Sequence, residues 1–526
     1  MRPVSLYNVV ILKVCFMKRL TLTGLALVLV VTVKAQVEDD WTKKMRETQS
    51  ESFKEFEQFK QQAYQDYGNF RRKANEEYAK YMEESWKMFE SLPAIEPPVK
   101  PKPPVPLIDD EEPLPQPEPD PNSPNKPKVD PIRIPDPIQT PELPTTDANK
   151  PVKRPNPIEP VVPNAVPMAA AQSFQMYGTP FAVHIEEQTL ELKDASEKSV
   201  AKMWRQLSDS SFDYLIAECL QQRDNHNLCD WAYIKLTQQV AEKQFGEGTN
   251  EAVLMQMYLL TQSGYQARIG RDDDDRLLLL MSAKEQLYGH GYFRLDGMKF
   301  YVIDKSFKQK ALHIYSHAFP QETSMSLALT QPDLKVEKTE PRTITSKRYP
   351  NVSVTVQTNK NLLDFYNDYP QSSMWNYYST ASMSEVLKES LYPTLRQAIA
   401  GKTELEAVNI LLNFVQTGFE YATDQKQFGY ERPLFCDEVF YYPYCDCEDR
   451  SILFSCLVRE LLGLDVVLLN YPEHLATAVL FNDDVKGDYL LVDGKTYIIC
   501  DPTFIHAAVG NCAPTYKSIA PTIVKI

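Results

Sequence analysis

The chain has 526 residues, too many for a single hydrophobic core, so two to four domains are expected, or fewer if part of it is not globular. Proline numbers 39 against 17 glycines, and most of those prolines crowd between Pro93 and Pro167, where glycine is absent and no core can pack. A formal net charge of -15 repels phosphate backbones, and no basic patch interleaved with aromatics offsets it, so nucleic acid is excluded as a partner.

The first element, residues 1–35, reads as an export signal. Lys18-Arg19 precede the apolar run "LTLTGLALVLVVTV" from Leu20, and "VKA" ends at Ala35 with small or apolar residues at the cleavage positions. Translation is expected to start at Met17. The run is short for a membrane span and charge follows soon after, which leaves an uncleaved anchor as the alternative. Gln36, not cysteine, follows the cut, so there is no lipidation signal. The expectation is an exported protein of a bacterial periplasm or cell surface. In an oxidising compartment some of the remaining cysteines could pair, with Cys219 and Cys229 the nearest local couple.

Residues 36–92 are expected to form one long helix. In elevens the sequence reads "FEQFKQQAYQD", "YGNFRRKANEE", "YAKYMEESWKM". Phe56, Tyr67, Tyr78 and Phe89 share one column; Phe59, Phe70 and Tyr81 the next; Ala63, Ala74 and Ser85 a third. A 3-4-4 spacing averages about 3.67 residues per turn and keeps the stripe on one face. Such a stripe is a packing seam, so residues 41–89 are expected to self-associate or dock on a partner. Residues 93–167 follow as a disordered, polyproline-like spacer; the alternative is a ligand for proline-binding modules.

From Ala169 the composition is globular, and the chain repeats itself. "TNEAVLMQMYLLTQSGYQARI" from Thr249 lies under "EDRSILFSCLVRELLGLDVVL" from Glu448 with Gly264 on Gly463; each is a helix pattern ended by glycine and followed by a strand. "YFRLDGMKFYVIDKSF" from Tyr292 matches "YLLVDGKTYIICDPTF" from Tyr489, each with an Asp-Gly hairpin turn, and Asp296 to Asp304 spans the same interval as Asp493 to Asp501. Two copies of one α+β unit are expected, over 168–320 and 321–526; chance similarity is the alternative.

"YCDCEDRSILF" from Tyr444 sets three readings side by side: half of a metal site, part of a disulfide, or a nucleophilic thiolate. Cys436, Cys445 and Cys447 are three thiols without a fourth ligand at zinc spacing, so no metal is expected. Cys447 opens a predicted helix, whose N-terminus lowers a thiol pKa; His474 opens the strand "HLATAVLF" and Asp501 ends a later one, in the order of a Cys-His-Asp triad. The backbone N–H of Cys447 would serve a developing oxyanion, with Gln427 a candidate second donor and a solvated loop amide the alternative. Glu448 and Asp449 favour the helix N-terminus while opposing a thiolate. Cys456, mid-helix, reads as core.

Together "CDCEDRSILFSCLVRELLGL", "YPEHLATAVLF" and "YIICDPTF" resemble the transglutaminase-like cysteine enzyme superfamily over Leu391 to the C-terminus. That superfamily has a papain-like fold and includes transglutaminases, peptide N-glycanases and bacterial cysteine peptidases. The resemblance implies a catalytic triad of Cys447, His474 and Asp501, no cofactor, a protein or peptide substrate, and attack on an amide carbonyl to give a thioester that water or an amine resolves. Two positions depart from its pattern: Cys445 stands where glycine is common, and Leu475 where an aromatic often follows the histidine. The first copy is degenerate. Gly248 replaces Cys447, the acidic run "RDDDDR" from Arg271 lies near the place of His474, and Asp304 alone persists. A non-catalytic scaffold of two papain-like domains is the competing reading.

Overall fold

The computed structural model describes residues 40–97, 155, 170–185, 190–208, 212–372 and 374–526. The stretch expected to be an export signal and almost all of the proline-rich segment lie outside them. The chain divides into two compact units, Met1–Asp66 and Tyr67–Ile526. In the first, the described residues are the start of helix α1 (Asp40–Met82), where Phe56 and Phe59 are exposed.

In the second unit α1 continues, and its faces separate. Ala74, Tyr78, Ala79 and Met82 are buried, whereas Phe70 and Tyr81 are exposed. Asn75 forms the polar anchor of this docked turn: its amide exchanges hydrogen bonds with Gln262 at 3.1 and 3.0 Å and accepts the Trp204 indole N–H at 3.1 Å. Tyr78 packs edge-on against Tyr315 and Phe319. Of the column Phe56, Tyr67, Tyr78 and Phe89, Tyr78 thus packs inside the same chain while Phe56 is exposed.

The helix also ends sooner than its eleven-residue frame implies. It stops at Met82, and Phe89 lies in a strand, β1 (Lys87–Glu90). Trp86 is buried and donates its indole N–H to the Met82 carbonyl at 3.1 Å. The backbone of β1 pairs antiparallel with β6, described below, occupying a sheet edge that would otherwise be open. Periodicity alone cannot register a partner strand more than 200 residues away.

The rest of this half is a helical layer over an antiparallel sheet. Helices Glu197–Leu207, Asp213–Asn225 and Asp230–Phe245 lead to α2 (Asn250–Gln262), capped by the Thr249 side chain, which accepts the Ala252 N–H at 3.2 Å. The sheet comprises β2 (Ala267–Arg271), β3 (Leu277–Ser282), β4 (Tyr292–Leu295), β5 (Met298–Val302) and β6 (Ala311–Tyr315), in the order β1-β6-β2-β3-β5-β4. Asp272 locks the turn between β2 and β3: its Oδ1 accepts the Asp274 and Arg276 N–H groups and its Oδ2 meets Arg276 Nε at 2.8 Å. The half does not close at residue 320, because Thr323 and Met325 still bridge to Tyr265 and Ala283.

The C-terminal half repeats this plan. Helix α3 (Cys447–Leu462) ends at Gly463, whose φ of 69° suits a residue without Cβ. Then come β7 (Asp465–Tyr471), β8 (His474–Leu480), β9 (Tyr489–Val492), β10 (Lys495–Cys500) and β11 (Thr522–Lys525), ordered β11-β7-β8-β10-β9. With β1 set aside, the two sheets have one strand order. Each carries its helix over the two central strands, α2 on β2 and β3, α3 on β7 and β8. Both Asp-Gly turns have positive φ at both residues, 48° and 82° at Asp296-Gly297 and 50° and 76° at Asp493-Gly494, the primed turn that matches strand twist. The protein is of mixed α and β class. Among the described residues no helix is long and apolar enough to cross a membrane.

Candidate active site

The site is assembled at the start of α3. Asp446 is the N-cap, with extended backbone and its N–H on Asp449 Oδ2 at 3.1 Å, so Cys447 becomes the first helical residue. There the unpaired N–H groups of the first turn favour negative charge on sulfur. One turn on, Ser451 Oγ donates to the Leu475 carbonyl at 2.8 Å, pinning the helix start to the first residues of β8. A two-residue turn, with Tyr471 facing His474 across the ladder, brings His474 to that strand end.

His474 Nε2 and Asp501 Oδ2 lie 2.8 Å apart, with 1 % and 3 % of the side chains exposed. Asp501 Oδ1 accepts the backbone N–H groups of Thr503 and Phe504 at 2.9 and 3.2 Å. Burial alone would raise this carboxyl; the charge and hydrogen bond of His474, together with those two amides, outweigh it and hold Asp501 below the usual carboxylate range. A carboxylate on Nε2 makes that nitrogen the donor and leaves Nδ1 as the basic position. Nδ1 is buried and has no hydrogen-bond partner. The ring packs into an aromatic group, with Tyr516 stacked at 4.9 Å, Tyr471 at 6.2 Å, and the two tyrosines 4.6 Å from each other. Burial, then the nearby Cys447 and Asp501, push the Tyr516 phenol up, so thiol and carboxylate both lie within electrostatic reach of its ring.

The Cys447 thiol is 3 % exposed and donates to Glu448 Oε2 at 3.0 Å. His474 Nδ1 accepts no hydrogen bond from it, and nucleophile–base bonds often form only with substrate in place. Beneath the site, Gln416 was invisible to sequence reasoning, being one amide in an apolar helix. Its Nε2 donates to the carbonyls of Asp501, Phe504 and Ala507 at 2.9–3.0 Å, shaping the loop that presents Asp501.

Gln427, the candidate second donor, is held by the backbone of Tyr444. Its Nε2 donates one N–H to the Tyr444 carbonyl at 3.1 Å and its Oε1 accepts the Tyr444 N–H at 3.0 Å, so the amide is tied to the Tyr444 backbone. Cys445 is buried, and burial pushes its thiol up to about 11, which keeps it protonated. Leu475 is fully buried, and Cys456 donates to the Ser379 carbonyl at 3.0 Å from the core side of α3. None of the eight described cysteines is bridged: Cys219 sits buried in its helix and Cys229 is the buried N-cap of the next.

Metal-ligand reasoning from thiols overlooked the acids. Asp424, Glu431, Asp446 and Glu448 are all buried and offer carboxylate oxygens within 4.8 Å of one another. Burial, then Asp449 and Glu448, raise Asp424 to about 9; burial, then Glu448 and Asp449, lift Asp446 far above its ordinary range; burial, then Glu448, raises Asp449 to about 7. Asp446 Oδ1 is buried without a hydrogen-bond partner. Protons or a cation must balance such a group, and an all-oxygen donor set suits a hard divalent ion such as Ca²⁺. Half the signal was visible in "DCED", but Asp424 and Glu431 arrive from a separate loop.

No protein-family model, curated protein or solved structure matches this chain.

Proposed function

We propose that the chain is a transglutaminase-like cysteine enzyme that opens amide bonds of protein or peptide substrates through a thioester. The observation that carries this reading is the buried His474–Asp501 pair at 2.8 Å, set on strand ends beside the helix terminus that bears Cys447. We further read the fold as two papain-like units in tandem, supported by the repeated strand order and hairpins, and the protein as exported, as its N-terminal sequence suggests.

In this mechanism the thiol proton passes to His474 Nδ1 while Asp501 holds Nε2 as the donor and steadies the imidazolium. The thiolate attacks the amide carbonyl, the carbon–nitrogen bond breaks, and the imidazolium protonates the departing amine. The Sγ–C thioester is then opened by water or by an amine, with His474 taking the acceptor's proton. The Cys447 N–H supplies one oxyanion contact.

The scaffold reading has one observation in its favour: the thiol is nearly buried and bonds Glu448 rather than the imidazole. Timed iodoacetamide labelling of the native chain, read by peptide mass mapping, separates the two. Cys447 is expected to label well before Cys456 and Cys512, and casein with a dansylated amine is expected to be cleaved or labelled. If Cys447 labels no faster than Cys456, the nucleophile assignment falls.

A further inference from the structure

Cys436 and Cys456 are two buried thiols that touch. Cys436 opens the short helix Cys436–Tyr441, and Cys456 sits on α3 about two and a half turns beyond Cys447. The Cys436 S–H donates to Cys456 Sγ, which lowers the Cys456 thiol and raises that of Cys436, and the Cys456 S–H runs on to the Ser379 carbonyl at 3.0 Å. The surroundings fix both ends of this contact. Beside Cys436, Asp437 accepts the Ser384 N–H at 3.0 Å and Phe435 stacks on Tyr378 with ring centroids 4.7 Å apart. Tyr378 directly precedes Ser379, so the one helix Trp375–Thr380 braces both thiols. Arg459 reaches back to the same Ser379 carbonyl and sets its Nη2 3.8 Å from Cys456 Sγ. Cys445, Cys500 and Cys512 turn instead to the carbonyls of Glu420, Ile498 and Ala513.

A thiol that donates to a second thiol leaves the two sulfurs within about 2 Å of bonding distance, a gap that side-chain rotation and a slight approach of the two helices close. The bond forms by exchange. One thiolate attacks a sulfur of a donor disulfide and releases one donor thiol; the other then attacks the mixed disulfide and releases the second, so the protein loses two hydrogens and the donor leaves as two thiols. Cys436 and Cys456 are only 3 % and 1 % exposed, so exchange belongs to the folding or locally opened chain, and the closed bond is sealed from reductants. The loop it closes carries the turn that presents Cys447. That turn buries Asp446, Glu448 and Asp449 together, and the repulsion among these acids works against it. A cross-link between the two flanks of the turn offsets that repulsion by removing conformations from the unfolded chain.

We propose that Cys436 and Cys456 form a structural disulfide, oxidised by a disulfide donor, that clamps the turn bearing Cys447. That the chain meets such a donor rests on its being exported; which two thiols pair rests on their contact and requires no chemistry at Cys447.

The test uses the full chain, purified reduced and divided in two. One portion is equilibrated in its folded state with a mixture of oxidised and reduced glutathione; the other is unfolded and refolded in the same mixture, which covers a native chain that never opens. Free thiols are blocked with N-ethylmaleimide in denaturant, and the unreduced digest is mapped by mass. The peptides of Cys436 and Cys456 are expected to appear joined, two hydrogens lighter than their sum, with Cys445, Cys500 and Cys512 blocked. The oxidised chain is expected to melt about 3–6 °C above the reduced one, and Cys436→Ala and Cys456→Ala should each erase that difference. Should either variant fail to fold, the map and the two melts of the wild-type chain decide the matter. Both cysteines blocked in both portions, either one joined to a different cysteine, or equal melting of the oxidised and reduced chains overturns the proposal. The Cys447→Ala chain should give the same joined peptides, so slow labelling of Cys447 alongside this link would remove the enzymatic reading and leave the disulfide standing.

Discussion

The two halves of the compact unit share a strand order, a capped helix over the central strands and a primed Asp-Gly hairpin, yet of the three positions where chemistry would reside they differ at two and share the aspartate. In the C-terminal half these are Cys447, His474 and Asp501, packed nearly out of solvent; in the N-terminal half they are Gly248, Arg276 and Asp304, around an open cleft. Arg276 falls on His474 because Val302 pairs with Leu280 as Ile499 pairs with Ala478, and each lies four residues before its paired strand position. The scaffold therefore does not depend on the thiol or the imidazole. The aspartate survives in both because it has a second task. Asp304 Oδ1 accepts the Ser306 N–H at 2.8 Å just as Asp501 Oδ1 accepts that of Thr503 at 2.9 Å, each fixing the turn that leaves its strand. An aspartate at this position reports on folding first and on catalysis only where a histidine faces it.

The sharpest way to break this comparison is at the thiol. Cys447→Ala should abolish amide turnover, and His474→Ala should come close to it because triad members act as a unit, a loss on the order of 10⁴-fold or more. Cys219→Ala, which removes a buried thiol from the N-terminal half, should leave kcat unchanged. Steady-state assays of the three variants decide it, and comparable losses in all three would mean that the effect is one of folding.

The paired aspartates sharpen it further. Asp501→Asn should keep the fold and lower kcat by as much as ~10⁴-fold, since the neutral amide no longer enforces the imidazole tautomer. Asp304→Asn should cost only about 1 kcal/mol of stability by weakening a turn. Because Asp501 is held below the usual carboxylate range, it contributes stability that is present above about pH 4 and lost as pH falls through its lower folded value. The gap in Tm between wild type and Asp501→Asn should therefore narrow on acidification below about pH 4, and a gap that widens there would contradict the assignment.

Each half also buries an ion pair, Arg268 with Glu322 and Arg432 with Glu438. Arg268→Met or Arg432→Met should cost about 3–5 kcal/mol in denaturant titrations by stranding the partner carboxylate. If both halves unfold in a single transition, as one compact unit implies, each variant should shift the same transition.

A smaller effect is expected from calcium, and in the C-terminal half alone. Millimolar CaCl₂ should raise Tm by a few degrees if Asp424, Glu431, Asp446 and Glu448 hold the ion, a chelator should reverse the rise, and Glu431→Gln should diminish it. Thermal melts that do not respond to calcium would assign the balance of charge in this cluster to protons.

Much of this protein was legible in its sequence because it is encoded locally. A carboxylate N-cap before Cys447, a glycine sixteen residues on, and Asp-Gly between alternating apolar runs act within a few residues of themselves, so the start of α3, its end at Gly463 and both hairpins follow from the chain alone. So does the repeat, since the same local signals recur in the same order. What only the tertiary structure decided are the questions of who meets whom. The eleven-residue stripe predicted one continuous seam, but the fold buried Tyr78, exposed Phe70 and turned Phe89 into a strand, because Tyr315 and the open edge of β6 were waiting for them. The Gln427 amide is tied to the Tyr444 backbone, a partner 17 residues away that no local signal announced. The acids around Cys447 became a cluster only when a distant loop delivered Asp424 and Glu431. Caps and turns depend on backbone torsions of neighbouring residues, which sequence specifies directly; burial, charge coupling and hydrogen-bond partnership depend on distances in space, which exist only once the chain has folded.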